Sequence, residues 1–95
     1  MDPIIAANWK MNLNSSEATQ LIESINQAMS NKPEIDLIIC PSFTYLNQVA
    51  SQLTAGSIAA QNMSEFESGA YTGEISASMI QSSGASFLCP VPLPK

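Results

Sequence analysis

The 95-residue sequence has no histidine and no arginine, and its cations are three lysines, Lys10, Lys32 and Lys95, set against eight acidic residues. A formal net charge of −5 with so few cations leaves nothing from which to build a phosphate-tracking surface, which argues against nucleic-acid binding. Cysteine is scarce too. Cys40 and Cys89 each end an apolar run, far apart in sequence, with no Cys-x-x-Cys spacing and no histidine to complete a metal site. They read as buried, reduced core thiols, with a disulfide between them as the lesser alternative, and no metal is expected. Glycine is sparse, and repeats, low-complexity tracts and blocks of like charge are missing, so nothing points to disorder. The start, Met1-Asp2-Pro3, is acidic, and the apolar run after it is cut short at Asn8, so neither a signal peptide nor a membrane span is expected and the cytoplasm is the default location.

What the chain does have is alternation. Ile4 to Ala7 form a continuous apolar run, expected of a parallel strand covered on both faces. A polar turn over Asn12 to Ser16 follows, with Ser15 or Ser16 as the candidate helix cap and Glu17 near the positive end of the helix dipole. Ala18, Leu21, Ile22, Ile25, Ala28 and Met29 then recur at helical spacing on one face. Asn31-Lys32-Pro33 breaks this helix, and Leu37 to Cys40 read as a second buried strand stopped by Pro41. Ser42 or Thr44 is positioned to cap a second helix from about Tyr45 to Leu53, with Leu46, Val49, Ala50 and Leu53 inward. Gly56 closes that unit ahead of a short third strand, Ile58 to Ala60.

The connection from Gln61 to Gly73 is long for a compact strand-helix unit, where about 2 to 6 residues are usual, and Glu65, Phe66, Glu67 and Tyr71 fall outside any core period. A third helix is expected over Glu74 to Ser83 with Ile75, Met79 and Ile80 inward, and a fourth strand over Ala85 to Cys89. Strand, helix, strand, helix, strand, helix, strand implies a parallel α/β sheet with right-handed crossovers. On pattern alone, part of an eight-stranded barrel and a small open three-layer sheet fit equally. A closed barrel of this type needs about 250 residues, so this chain is expected to leave it unclosed.

The chemistry gathers at the end of the first strand. In Asn8-Trp9-Lys10-Met11-Asn12, Asn8 and Lys10 are two residues apart, so wherever strand geometry persists they share a face while Trp9 points into packing. A lysine just past a strand is most often a solvated loop charge. It gains weight from Ala60-Gln61-Asn62 and from Gly69-Ala70-Tyr71-Thr72-Gly73-Glu74-Ile75-Ser76, which follow in order.

With these three motifs in register, the chain resembles the N-terminal part of the triosephosphate isomerase family over about residues 4 to 89. The resemblance implies a partial (β/α)8 barrel of about four parallel strands and three helices. It also implies an aldose-ketose isomerase of glycolysis and gluconeogenesis that interconverts glyceraldehyde 3-phosphate and dihydroxyacetone phosphate by proton transfer, with no cofactor. Lys10 would be the catalytic electrostatic anchor for the anionic substrate, and Asn8 would help bind the triose phosphate. Gln61, Asn62, Tyr71, Thr72, Gly73 and Glu74 would belong to a loop that docks beside the active site of a twofold mate, with Thr72 at its tip. Gln61 and Asn62 are expected to hold the lysine and the loop base by hydrogen bonds.

Two departures stand out. Ala7 occupies a position where the family commonly has glycine, a change that an extended backbone absorbs. After Cys89 the family continues with one apolar residue and Gly-His-Ser-Glu-Arg-Arg, whereas this chain reads Pro90-Val91-Pro92-Leu93-Pro94-Lys95, with Pro92 at the position of the catalytic histidine. Residues 1–89 are therefore taken as barrel and 90–95 as an unrelated tail, expected to be extended and unpaired because its prolines lack N–H donors. With neither that histidine nor the proton-abstracting glutamate of the family in place, the isolated chain is expected to be inactive. The alternative is a non-catalytic module that self-associates through the open half-barrel edge or the Gln61 to Gly73 loop.

Overall fold

The computed structural model describes residues 4–32, 35–88 and the backbone of 91–92. Its elements are β1 (Ile4–Asn8), α1 (Ser15–Met29), β2 (Asp36–Cys40), a 3-10 turn over Phe43–Tyr45 leading into α2 (Leu46–Gln52), β3 (Ser57–Ala60), α3 (Ala77–Ser82), β4 (Phe87–Leu88) and β5 (Val91–Pro92). The strands lie in one sheet in the order β1-β2-β3-β4-β5, the first four parallel and β5 antiparallel to β4. Each parallel step is made through a helix, so the architecture is the expected α/β unit of an unclosed barrel.

The period-two alternation of strands sorts the side chains to two faces. Trp9, Leu37, Ile39, Ile58 and Ala60 point to the helix layer and pack with Ala18 and Ile22 of α1, Leu46 and Val49 of α2 and Ile80 of α3. Ile38, Cys40 and Ala59 point the other way and pack with Phe87. Ile22, Ile39, Ile80 and Val49 are fully buried, and each such side chain contributes about 1.5–3 kcal/mol relative to leaving it in water. The helix-side cluster is thus the stabilising core.

β1 departs from the sequence reading. It is not covered on both faces: Ile4 is 65% and Ile5 48% exposed, because β1 has a neighbour on only one edge among the described residues. An apolar run read as a strand covered on both faces lies here at the edge of the sheet, among the described residues. Ala7 sits in extended backbone with its methyl against the helix-side core, so the extra carbon is accommodated.

The helix boundaries also move. The cap of α1 is Asn14 rather than Ser15 or Ser16: Asn14 Oδ1 accepts from the Glu17 N–H and Glu17 Oε1 accepts from the Asn14 N–H, both at 2.9 Å, a reciprocal capping box. Ser15 is free for another task, and its Oγ donates to Gln48 Oε1 of α2 while Gln48 Nε2 donates to the Ser15 carbonyl. Ala28 of the expected apolar stripe is exposed. Neither Ser42 nor Thr44 caps the second helical segment with its side chain, which instead enters through the 3-10 turn.

α3 begins three residues later than expected, capped by Ser76, whose Oγ accepts from the Met79 N–H at 3.3 Å. A helix this short buries Ile80 and turns the adjacent Met79 outward, 51% exposed, rather than inward. The tail is corrected as well. Val91–Pro92 pairs with Phe87–Leu88, so the proline-rich end adds an antiparallel strand rather than an unpaired extension. Proline is tolerated there because a two-residue edge strand has room for a position that donates no ladder hydrogen bond. Cys89, Pro90 and residues 93–95 lie outside the described residues, as does the Pro33-Glu34 break.

Candidate functional site

The first four strands run in parallel, so their C-terminal ends open at one mouth, the end of an α/β sheet where ligands bind. Asn8, Cys40 and Ala60 end the first three strands there, and the residues just beyond them are Trp9-Lys10, Pro41-Ser42 and Gln61. The Trp9 N–H still donates to the Cys40 carbonyl at 3.0 Å, which continues the ladder by one residue and carries the indole into the core. Lys10 then leaves strand geometry altogether. Its φ is 56°, left-handed for a residue with a Cβ, and it is exposed. The shared strand face expected for Asn8 and Lys10 therefore ends at Asn8.

A left-handed non-glycine residue carries about 1–2 kcal/mol of steric cost, so its surroundings must fix it. The Lys10 N–H donates to Asn8 Oδ1 at 2.9 Å. The Lys10 carbonyl accepts from Gln61 Nε2 at 2.9 Å and from Ser42 Oγ at 3.2 Å. One residue back, Asn12 Nδ2 donates to the Trp9 carbonyl at 2.9 Å. Gln61 Nε2 also donates to the Cys40 carbonyl at 2.9 Å, so a single amide bridges the ends of β1 and β2. Four side chains thus hold the backbone on either side of the lysine, which is exposed and follows the C-terminal end of β1.

The structure brings Asn8, Lys10 and Gln61 together and leaves the other candidate residues apart from them in two groups. Asn62 is exposed, and its Oδ1 accepts from the next N–H, of Met63. Tyr71, Thr72, Gly73 and Glu74 are exposed in a tight turn closed by the Glu74 N–H on the Tyr71 carbonyl at 3.0 Å, with Gly73 at φ 87°. The loop is built rather than slack. Ser64 N–H donates to the Ile75 carbonyl at 2.7 Å across its base, and the Phe66 and Tyr71 rings stack with centroids 4.5 Å apart and planes 4° from parallel. Sequence reading placed both rings outside the core but gave no sign of their pairing.

Ser42 and Asn12 were not singled out as site residues. For Ser42 the signal lay in its position: it follows the second strand by two residues, so topology delivers it to the same mouth as Lys10. A cavity of about 690 Å³ opens at the other end of the strands, lined by Ile4, Ile35, Ile38 and Phe87 among others. It lies away from Lys10, where inward-facing apolar side chains lack an opposing wall, and carries none of the site's polar groups. Among the described residues no cluster of three His, Cys, Asp or Glu side chains is arranged to hold a metal ion, and no helix is long and apolar enough to cross a membrane.

Residues 3–89 match the family model described as triosephosphate isomerase. The triosephosphate isomerase of Bacteroides fragilis is 44% identical over 88 residues, which cover 90% of this chain and 35% of that protein. That of Alkaliphilus oremlandii shows the same identity and coverage. The Magnetococcus marinus enzyme is 42% identical over 89 residues, 90% of this chain and 34% of its own length. The chain therefore spans about a third of the length of these curated relatives.

Proposed function

The chain belongs to the triosephosphate isomerase family, and on that footing we propose that it carries the ammonium-and-amide part of an aldose-ketose isomerase site acting on triose phosphates. The observation that carries this reading is Lys10, held in a left-handed conformation at the C-terminal end of β1 by hydrogen bonds to side chains from three consecutive strand-helix units: Asn8, which accepts from its N–H, and Ser42 and Gln61, which donate to its carbonyl.

The chemistry follows from charge. Isomerising glyceraldehyde 3-phosphate to dihydroxyacetone phosphate moves a proton between adjacent carbons through an enediolate, so negative charge accumulates on the substrate oxygens in the transition state. An ammonium fixed in advance stabilises that charge without reorganising at the moment of reaction, and it attracts the substrate phosphate at the same time. Asn8, locked to the Lys10 N–H through Oδ1, helps to bind the substrate beside it. The reaction needs no cofactor.

Lysine alone does not complete it. A base must remove the proton and a donor must polarise the carbonyl. The 95 residues contain no histidine, and Pro92, at the corresponding position, pairs in β5. These residues by themselves are proposed to be inactive, with the base, the electrophile and the phosphate loops supplied by further barrel. The Gln61 to Gly73 loop, exposed from Glu65 to Gly73 and with Thr72 near its tip, is proposed to dock on a twofold mate in the cytoplasm.

The test is complementation. The purified chain is mixed with the remaining two-thirds of the Bacteroides fragilis relative, and isomerase activity is assayed by coupling to a dehydrogenase. Activity that appears on mixing and disappears with Lys10→Met supports the proposal; no activity at any ratio with two co-folded fragments removes it.

A second reading has its own observation. Because the Trp9 N–H faces β2, the two-residue alternation places the N–H and C=O groups of Ile4, Ala6 and Asn8 on the open edge of β1. An edge strand without charge, proline or bulge is a template for pairing with another chain. On this reading the molecule is a self-associating module, and light scattering separates the two: a defined oligomer that persists on dilution supports a module, and polydisperse material supports an incomplete enzyme.

A further inference from the structure

We propose that Ser42 is a positioning residue for Lys10: its hydroxyl holds the Lys10 carbonyl and so keeps the lysine in the left-handed conformation from which the ammonium serves the site. The inference rests on the reading of Lys10 as an anion anchor and extends it to a residue outside the three motifs.

Ser42 occupies the N-cap position of the 3-10 turn, where a serine side chain ordinarily accepts from an N–H of the first turn. It makes no such bond. Its own carbonyl accepts from the Tyr45 N–H at 3.0 Å, and its Oγ turns away from the helix to donate to the Lys10 carbonyl, 32 residues back in sequence. The capping bond is forgone and the lysine is held instead. Ser42 is well placed to do this, since it follows the fully buried Pro41 and sits in extended backbone.

The side chains bonded to Lys10 divide the work. The Asn8 bond lies within the same segment and travels with it. Gln61 grips the Lys10 and Cys40 carbonyls together, so it fixes the ends of two strands to each other as well as the lysine. Ser42 is the long-range donor whose side-chain bond goes to Lys10 alone. Removing it loosens the lysine without untying the sheet, which separates positioning from general stability.

The experiment uses the full chain, isotopically labelled, with two readouts. The first is the Lys10 Cα and Hα chemical shifts and the amide-to-Hα coupling, which report the left-handed backbone directly. The second is titration with inorganic phosphate, followed at the Lys10 side-chain resonances. In Ser42→Ala the left-handed signature of Lys10 weakens toward extended values and the phosphate Kd rises about fivefold, the ratio that one neutral hydrogen bond of ordinary strength supports. Ser42→Thr, which keeps the hydroxyl, restores both, and Ser42→Cys, similar in shape with only a weak donor, behaves as Ala does. Lys10 shifts and coupling in Ser42→Ala that match the unsubstituted chain overturn the proposal. The anion-anchor reading fails separately: a Lys10→Met chain that binds phosphate as tightly as the unsubstituted one removes it, whatever the Lys10 backbone does in Ser42→Ala.

Discussion

Replacing Gln61 by leucine removes two hydrogen bonds with one substitution and leaves the side chain's bulk in place. The half-buried amide donates at 2.9 Å to both the Lys10 and Cys40 carbonyls. Neither acceptor is stranded by the change. The Cys40 carbonyl keeps the Trp9 N–H at 3.0 Å, and the Lys10 carbonyl keeps Ser42 Oγ at 3.2 Å. The penalty for a buried orphan therefore does not apply, and the loss is two net bonds, about 2 kcal/mol in all. At about 4–8 °C per kcal/mol for a domain of this size, Tm falls by about 8–16 °C. Urea unfolding followed by far-ultraviolet circular dichroism reads the same loss as a lower midpoint at constant m-value. Gln61→Glu sharpens the test, because near neutral pH its carboxylate faces two carbonyl oxygens and is disfavoured, which raises its folded pKa above the unfolded value of about 4.3. A raised folded pKa gives stability that is full below the unfolded pKa and lost as pH rises through the folded one, so this variant should regain stability on acidification toward pH 4. A Gln61→Leu chain within about 0.5 kcal/mol of the unsubstituted protein would refute the view that this amide ties β1 to β2.

The capping box predicts that Asn14→Ala costs about 1 kcal/mol while Ser16→Ala, which carries no cap bond, stays within about 0.5 kcal/mol; equal losses in urea melts would place the cap elsewhere. Gly84 and Gly73 separate collision from backbone strain. At Gly84 (φ 103°) an added Cβ would lie 2.7 Å from the Ala50 Cβ, whereas at Gly73 (φ 87°) it would meet nothing within 4 Å. Gly73→Ala should therefore cost about 1 kcal/mol and Gly84→Ala clearly more, and the order of their midpoints decides the point. Ile4→Lys on the exposed β1 edge should narrow the size distribution in light scattering and leave the unfolding midpoint unchanged, since Ile4 contributes little to the core; unchanged polydispersity would move self-association to another surface.

Much of this protein is determined by local sequence. Four apolar runs separated by amphipathic helices specify a parallel α/β sheet, since alternation and periodicity are local properties that need no knowledge of neighbours. The Asn8-Trp9-Lys10 motif placed its amide, indole and cation at a strand end for the same reason. What depends on neighbours was decided only by the tertiary structure. Ile4-Ile5-Ala6-Ala7 reads the same whether a second strand covers it or not, so its exposure at the sheet edge followed from the strand order. Met79 and Ile80 are adjacent apolar residues, and only the entry of α3 at Ser76 fixed which one faces the core. Pro92 lacks the donor that a central strand needs, and only its edge position makes that loss harmless. The conformation of Lys10 is the sharpest case. Its left-handed backbone is unfavourable in isolation and stands because Ser42 and Gln61, far away in sequence, meet its carbonyl at one mouth of the fold.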